Sequence, residues 1–360
     1  MVTKAAASIS IDGKIIGEDT PTYFIADIGA NHDGELERAK DLICLAAESG
    51  ADAAKFQHFQ AATIVSDYGF RELGDQQSHQ ADWKKSVYEV YQDASLDLSW
   101  TTELVKTCQQ AGISFFTSPY SEELVDAVDP FVPAYKIGSG DITWLDIIEY
   151  IARKGKPYLL ATGAATMADI QRAVERGLSV NKQLALLQCN TNYTGDIDNF
   201  RHVHLRVLEE FRAIFPELVL GLSDHTPGHS AVLGAVALGA RLVEKHFSDD
   251  NSRTGPDHVF AMNPASWKEM VDRTRELELA LGSREKKIEA NESDTVILQR
   301  RAIRWAINME KGTNIQESHL SMLRPCPEGA LSPYQQAEVI GRALACDVVA
   351  GAVIKHSDLE

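Results

Sequence analysis

Along this 360-residue chain, eight short apolar runs alternate with longer amphipathic stretches, and that rhythm constrains the fold more than any single motif. The runs are Tyr23–Gly29, Asp52–Gln57, Ser114–Pro119, Ala134–Ser139, Tyr158–Gly163, Leu184–Asn190, Leu218–Asp224 and Leu242–Phe247. Each has the length and the near-continuous apolar character of a parallel strand buried on both faces. Between them, Leu36–Glu48, Thr102–Ala111, Ser121–Val128, Trp144–Arg153, Met167–Arg176, Phe200–Phe215 and Ala231–Leu238 have helical spacing. Pro264–Leu281 adds a helix after the eighth run, with Asn263 as its cap. Eight βα units predict an α/β fold of the (β/α)8 barrel type. A doubly wound sheet is the competitor, and no GxGxxG follows the first run to support it.

A barrel takes about 250 residues, which leaves room for an appendage. Residues 283–294 are charged and poor in apolar side chains, so they read as a linker between a barrel domain over 1–282 and a small, mostly β domain over 295–360. Two insertions break the rhythm. Residues 8–20 read as a hairpin ahead of the first barrel strand, and residues 62–96 form a long, polar and aromatic insertion after the second. A long segment at a strand's C-terminal end is where a barrel builds its site.

Charge narrows the partners. Thirty-five basic against 52 acidic residues give a net −17, which argues against nucleic-acid binding and against docking on an anionic membrane. A locally basic site for an anionic small molecule remains compatible. No run reaches the ~18 apolar residues of a membrane span, and residues 1–12 lack the apolar core of a signal peptide. Five cysteines with no CxxC spacing read as reduced thiols, which predicts a cytoplasmic protein.

Barrel chemistry gathers at the C-terminal strand ends. Those ends carry Asp27, then Lys55 and Gln57, Thr117 and Ser118, Lys136, Ser139 and Asp141, Thr162, Asn190 with Asn192 and Tyr193, Ser223 with Asp224 and His225, and Glu244 with Lys245 and His246. His225 and His246 end the seventh and eighth strands, which are neighbours in a closed barrel. Two converging imidazoles suit a divalent cation with open positions; the alternative is one core histidine and one unrelated one. Lys55 and Lys136 alternate with apolar neighbours and so point inward or at the barrel mouth, where an ammonium needs an anion. Ion pairing with Asp27 or Asp141 is one solution. A phosphate or carboxylate site helped by Ser118, Ser139 and Ser223 is a second, and a Schiff-base lysine a third. Asp27 and Asp141 suit either acid–base work or salt bridges to those lysines. Ser223–Asp224–His225 is no triad, because adjacent strand residues face opposite ways. His32, in the loop after the first run, reads as structural; Asp257 and His258, after the eighth, lie where a substrate would pass.

The strings FIADIGANHDGELERAK, GADAAKFQHF, FFTSPYS, YKIGSGDITWLDII, ATGAAT, CNTNY, GLSDHTPG, EKHFSDDNSRTGPDH and RRAIRWAINMEKG occur in this order. Together they resemble the sialic acid (N-acetylneuraminate) synthase family, which includes the legionaminic and pseudaminic acid synthases. The resemblance runs from about residue 20 to the end and implies a (β/α)8 TIM barrel followed by an antifreeze-like (SAF) domain. It implies condensation of phosphoenolpyruvate with an acylamino sugar, giving a nine-carbon 2-keto acid and phosphate by C–O cleavage. It also implies Mn2+ or Mg2+ on His225 and His246, and a phosphoenolpyruvate pocket of Lys55, Gln57, Thr117 or Ser118, Lys136, Ser139, Asn192, Tyr193 and Ser223. Asp257 and Arg324 would hold the sugar, and the molecule would be a domain-swapped homodimer. Asp27 and Asp141 stand where the family usually carries glutamate, each one methylene shorter, about 1.5 Å of reach. LRPC around Arg324 replaces the family's KRPG. A metal-dependent pyruvate aldolase and a non-catalytic carbohydrate-binding protein are the competing classes.

Overall fold

The computed structural model describes residues 7–74, 80 and 83–360. The start of the N-terminal stretch read for a leader, 1–6, and positions 75–79, 81 and 82 of the long insertion lie outside them. Two compact units appear, Met1–Gly282 and Ser283–Glu360.

The first unit opens with the hairpin, strands β1 (Ser8–Ile11) and β2 (Lys14–Gly17), paired antiparallel. The eight apolar runs then form β3 (Tyr23–Asp27), β4 (Ala53–His58), β5 (Ser114–Pro119), β6 (Tyr135–Ile137), β7 (Tyr158–Ala161), β8 (Leu184–Cys189), β9 (Val219–Asp224) and β10 (Leu242–His246). All pair parallel in chain order, and β10 closes on β3, so the sheet is a closed barrel as the alternation predicts.

The helices of this unit are α1 (Leu36–Glu48), α2 (Ala61–Ile64), α3 (Asp67–Glu72), α4 (Val87–Ala94), α5 (Thr101–Ala111), α6 (Glu122–Val128), α7 (Leu145–Ala152), α8 (Met167–Leu178), α9 (Val207–Ile214), α10 (Ser230–Ala237) and α11 (Pro264–Leu281). The short helices α2, α3 and α4 occupy the described part of the insertion. Several starts follow from local chemistry. Asn263 and Ser266 cap α11 reciprocally with Pro264 in the first turn, and Thr166 and Asp169 do the same for α8. One helix departs from expectation. The helix read over Phe200–Phe215 is a 3-10 segment, Ile197–His202, followed by α9. His204 between them has φ 47°, a left-handed conformation that no α-helix passes through.

Strand alternation splits the interior into two apolar layers. Phe24, Ala54, Phe56, Phe115, Tyr135, Leu160, Leu186, Leu222 and Val243 face the helices. Ile25, Ala53, Phe116, Ala134, Leu159, Ala185, Leu187, Val219 and Leu242 fill the barrel itself. Ile9, Ile11 and Ile16 of the hairpin join this inner cluster at the N-terminal end. Lys14 pairs there with Asp52 at 2.9 Å, and Ser114 donates to Asp12 at 3.0 Å. That end is therefore closed by apolar side chains, and the polar strand ends stand at the other.

The second unit holds α12 (Ser293–Gln299), β11 (Ala302–Trp305), β12 (Leu320–Leu323) and α13 (Gln336–Val339). Strands β11 and β12 pair antiparallel, and single bridges such as Met309 to Val348 extend this mostly β fold. Its own small core includes Ile303, Trp305, Ile315, Leu331, Leu344 and Ile354. The segment read as a linker to residue 294 is shorter in the structure, because α12 begins at Ser293. No helix among the described residues is long and apolar enough to cross a membrane.

Candidate active site

The two-residue period of the strands decides which polar side chains meet inside the barrel. Counting from the inner apolar layer, Asp27 follows Ile25, Lys55 follows Ala53, Ser118 follows Phe116, Lys136 follows Ala134, Ser223 follows Gly221, and Glu244 follows Leu242. Asp27, Lys55, Ser118, Lys136, Ser223 and Glu244 are all buried. Lys55 Nζ lies 2.7 Å from Asp27 Oδ2 and 3.9 Å from Glu244 Oε1. Lys136 Nζ lies 3.3 Å from that same Glu244 oxygen, and Ser223 Oγ donates to it at 3.2 Å. Gln57 donates to Asp27 at 3.2 Å.

Burial by itself would lower the pKa of Lys55, but the Asp27 and Glu244 charges outweigh it and hold the ammonium above its usual value. Burial would likewise raise Asp27, yet Lys55, followed by His246, holds its carboxyl below the usual range. The ion pairs expected of these lysines exist, although Lys136 finds Glu244 and not Asp141.

His225 and His246 stand one layer higher, their ring centroids 5.5 Å apart. His225 Nδ1 meets the Asn190 carbonyl at 3.0 Å, and the ring also bonds the Cys189 side chain, contacts that fix its orientation. His246 Nε2 is 3.4 Å from Asp27 Oδ2, and its Nδ1 is 3.6 Å from Asp257 Oδ2, buried and without a hydrogen bond. Burial pushes His246 below its ordinary pKa, although Asp27 and Asp257 pull the other way, so a neutral ring is available as a donor. Two imidazoles flanked by carboxylates, one ring nitrogen orphaned, fit a divalent cation. Three or more protein donors already arranged around one point are not found among the described residues. Substrate or water oxygens would therefore complete the shell.

Aromatic contacts hold this pair. Tyr193 packs edge-on to His225 at 4.6 Å, and Phe260 to His246 at 4.9 Å. Gly29, with φ 51°, is required beside them: a Cβ there would lie 2.6 Å from Asp257 Oδ2 and 3.1 Å from His246 Nδ1. On the outer face, Lys245 bonds Asp224 at 2.5 Å and the Thr226 carbonyl at 2.6 Å, which fastens the turn that carries His225. Ser223 and Asp224 thus face opposite ways.

Above the histidines opens a cavity of about 440 Å³. Gln57, Ser139, Asp141, Tyr193, His246 and Asp257 line it from the barrel, and Phe59, Ile64, Trp83, Val90, Tyr91 and Tyr120 supply an aromatic and apolar wall. Asp141 is pushed up to about 6 by burial, against the opposing charge of Lys136. Ser139 Oγ accepts from the Gly163 amide at 3.0 Å. Asp257 is tied to the Ala30 amide at 3.0 Å.

Some expected residues lie elsewhere. Thr117 faces the helices with Phe115; its hydroxyl bonds His58 Nδ1 at 2.6 Å and the Phe56 carbonyl at 3.2 Å. Strand parity therefore turns Ser118 into the barrel in its place, where Ser118 Oγ is buried without a partner. The Asn192 amide oxygen is spent on Thr194, at 3.1 and 2.7 Å, and Thr191 and Tyr193 line the cavity on either side. His258 is structural, bridging Ser248 at 2.7 Å and Asp33 at 2.9 Å. His32 is buried edge-on to Trp100. Arg324 is an exposed residue of the second unit. Phe260 and Tyr120 were not expected as site residues, and Glu244, one of the polar strand ends, was given no role. The signal for Glu244 was its parity with His246 two residues on.

Comparison with known proteins agrees with this layout. The NeuB family model matches residues 42–286, and the SAF domain model matches residues 300–360. An N,N'-diacetyllegionaminic acid synthase of Legionella pneumophila is 32% identical over 350 residues, covering 96% of both chains. A pseudaminic acid synthase of Helicobacter pylori is 30% identical, covering 94% of this chain and 98% of its own. The crystal structure of an N-acetylneuraminic acid synthetase from Leptospira borgpetersenii superposes with a TM-score of 0.70 at 25% identity, over 81% of this chain and 95% of that one. With a family model over most of the barrel and relatives that align nearly end to end, the chain belongs to the NeuB family.

Proposed function

We propose that this enzyme condenses phosphoenolpyruvate with an acylamino sugar of the N-acetylmannosamine type, or a dideoxy analogue, to give a nine-carbon 2-keto sugar acid and phosphate. The observation that carries the reading is the buried set Asp27, Lys55, Glu244 and Lys136 directly beneath the paired histidines. It sets ammonium groups for an anion next to a place where a carbonyl oxygen can be polarised.

Lys55, Lys136, Ser118 and Ser223 hold phosphoenolpyruvate, with Gln57, Ser139 and Tyr193 at its upper edge. Held there, its C3 faces the aldehyde carbon of the open-chain sugar, and this alignment supplies proximity. His225 and His246 would hold Mn2+ or Mg2+, which when bound supplies Lewis-acid polarisation of the aldehyde oxygen. The new C–C bond leaves positive character at C2, and water adds there. Asp141 or Asp27 takes the proton that water loses, which balances the proton gained by the new hydroxyl. The C2–O bond to phosphate then breaks, the electron pair leaves with phosphate, the C2 hydroxyl proton passes to the departing phosphate, and the 2-keto group forms. Asp257 orients the sugar.

The reading extends, on the family resemblance alone, to a cytoplasmic homodimer in which Arg324 binds the sugar's acyl group in the partner's barrel. Co-refolding His225→Ala with Arg324→Ala then restores about a quarter of the activity, by the symmetry of the dimer. An Arg324 that served its own barrel would restore none. The main reading is tested by phosphate release from phosphoenolpyruvate with a panel of acylamino sugars: release that depends on one of them supports it. Turnover of pyruvate in place of phosphoenolpyruvate contradicts it.

A further inference from the structure

Glu244 has no part in the chemistry just described, yet it touches most of the anion pocket. It is buried at 5% exposure. One oxygen, Oε1, is 3.3 Å from Lys136, 3.9 Å from Lys55 and 3.2 Å from Ser223 Oγ. The other, Oε2, is buried with no hydrogen-bond partner. Two carboxylates, Asp27 and Glu244, thus face two ammonium groups. An anion that approaches Lys136 finds a carboxylate already there.

The two acids are not equivalent. Asp27 sits at hydrogen-bond distance from Lys55 and also accepts from Gln57 and the Gly29 amide. Glu244 holds its lysines at longer range, with one oxygen, and leaves the other unsatisfied. A buried carboxylate satisfied on one side only is weakly held. We infer that Glu244 is a displaceable stand-in for the substrate's phosphoryl group: it aims Lys136 and Ser223 when no anion is bound, yields them when phosphate enters, and competes phosphate back out after the reaction. Glu244 is in this sense a positioning residue, and the inference rests on the reading that Lys55 and Lys136 receive the anion.

The consequence has an unusual sign. Removing a residue that merely supports a pocket weakens binding, whereas removing a competitor strengthens it. Glu244→Gln keeps the shape and removes the charge, so it is expected to bind inorganic phosphate roughly tenfold more tightly, the scale of one charge-assisted contact. Glu244→Asp withdraws the carboxylate by one methylene and should fall between the two. Turnover should drop in Glu244→Gln while KM for phosphoenolpyruvate also drops, because the product anion leaves more slowly.

The test is calorimetric titration of inorganic phosphate into the full chain at fixed Mn2+, for the wild type and both variants, with melting curves in parallel. Tighter phosphate binding in Glu244→Gln, or a larger phosphate-induced rise in Tm where that variant melts early, supports the inference. Equal or weaker binding in folded Glu244→Gln overturns it. Should Glu244→Gln not fold, Glu244→Asp decides on the same criterion. A wild type with no affinity for phosphate overturns the anion-pocket reading, and this inference with it.

Discussion

Lys55 and Asp27 face each other across neighbouring strands, Nζ to Oδ2 at 2.7 Å, both buried at the level where the barrel turns from apolar to polar. Breaking such a pair from one side leaves an uncompensated charge, which costs roughly 3–5 kcal/mol, while replacing both partners costs much less. Asp27→Ala should therefore destabilise the protein more than Asp27→Ala combined with Lys55→Met. Urea unfolding of the two variants checks this; a double variant less stable than the single one contradicts it.

Lys55→Ala and Lys136→Ala should each impair the use of phosphoenolpyruvate more than that of the sugar. A lost charge-assisted contact is worth ~1.5–3 kcal/mol, about ten- to a hundredfold in affinity. Steady-state kinetics with each substrate varied in turn separates the two; an effect confined to the sugar's KM would remove the lysines from the anion site.

Asp141 predicts a pH dependence. Burial raises its carboxyl from 3.8 to about 6. The folded value lies above the unfolded one, so the group contributes stability that is fully present below about pH 3.8 and lost as pH rises through about 6. Asp141→Asn should accordingly gain roughly 1–3 kcal/mol over the wild type at neutral pH and match it near pH 4. Denaturant melts across that range read the difference. If the ionised form assists water, the wild type also loses turnover below about pH 6. Asp141→Asn, low at every pH, should lack that limb.

Metal dependence follows from the histidine pair. EDTA should abolish turnover and Mn2+ restore it. His225→Ala should melt close to the wild type while losing calorimetric Mn2+ binding, because its ring stands above the apolar layers. Undiminished Mn2+ affinity in that variant would place the metal elsewhere.

The barrel was legible because strands buried on both faces write themselves as continuous apolar runs, and all eight lie where the runs do. The convergence of Lys55, Lys136, His225 and His246 was legible because all four stand at strand ends that a closed barrel brings together. What escaped depended on contacts across the fold. Phe115 and Phe116 are adjacent and both apolar, so strand parity was ambiguous and Thr117 stood beside Ser118 until the structure turned one of them outward. Glu244 acquires its place through Lys136 of β6, across the barrel, and Lys55 of β4, two strands away. The break before α9 turns on the left-handed backbone of His204, which a hydrophobic period does not register.

The proposed reaction joins phosphoenolpyruvate to a sugar and releases phosphate by breaking a C–O bond. The most direct measurement uses phosphoenolpyruvate carrying 18O in the oxygen that bridges C2 and phosphorus, with an accepted acylamino sugar, followed by mass spectrometry of both products. All of the label should leave with phosphate and none should remain in the keto acid. Label retained in the keto acid, or keto acid formed from pyruvate without phosphate, would contradict it.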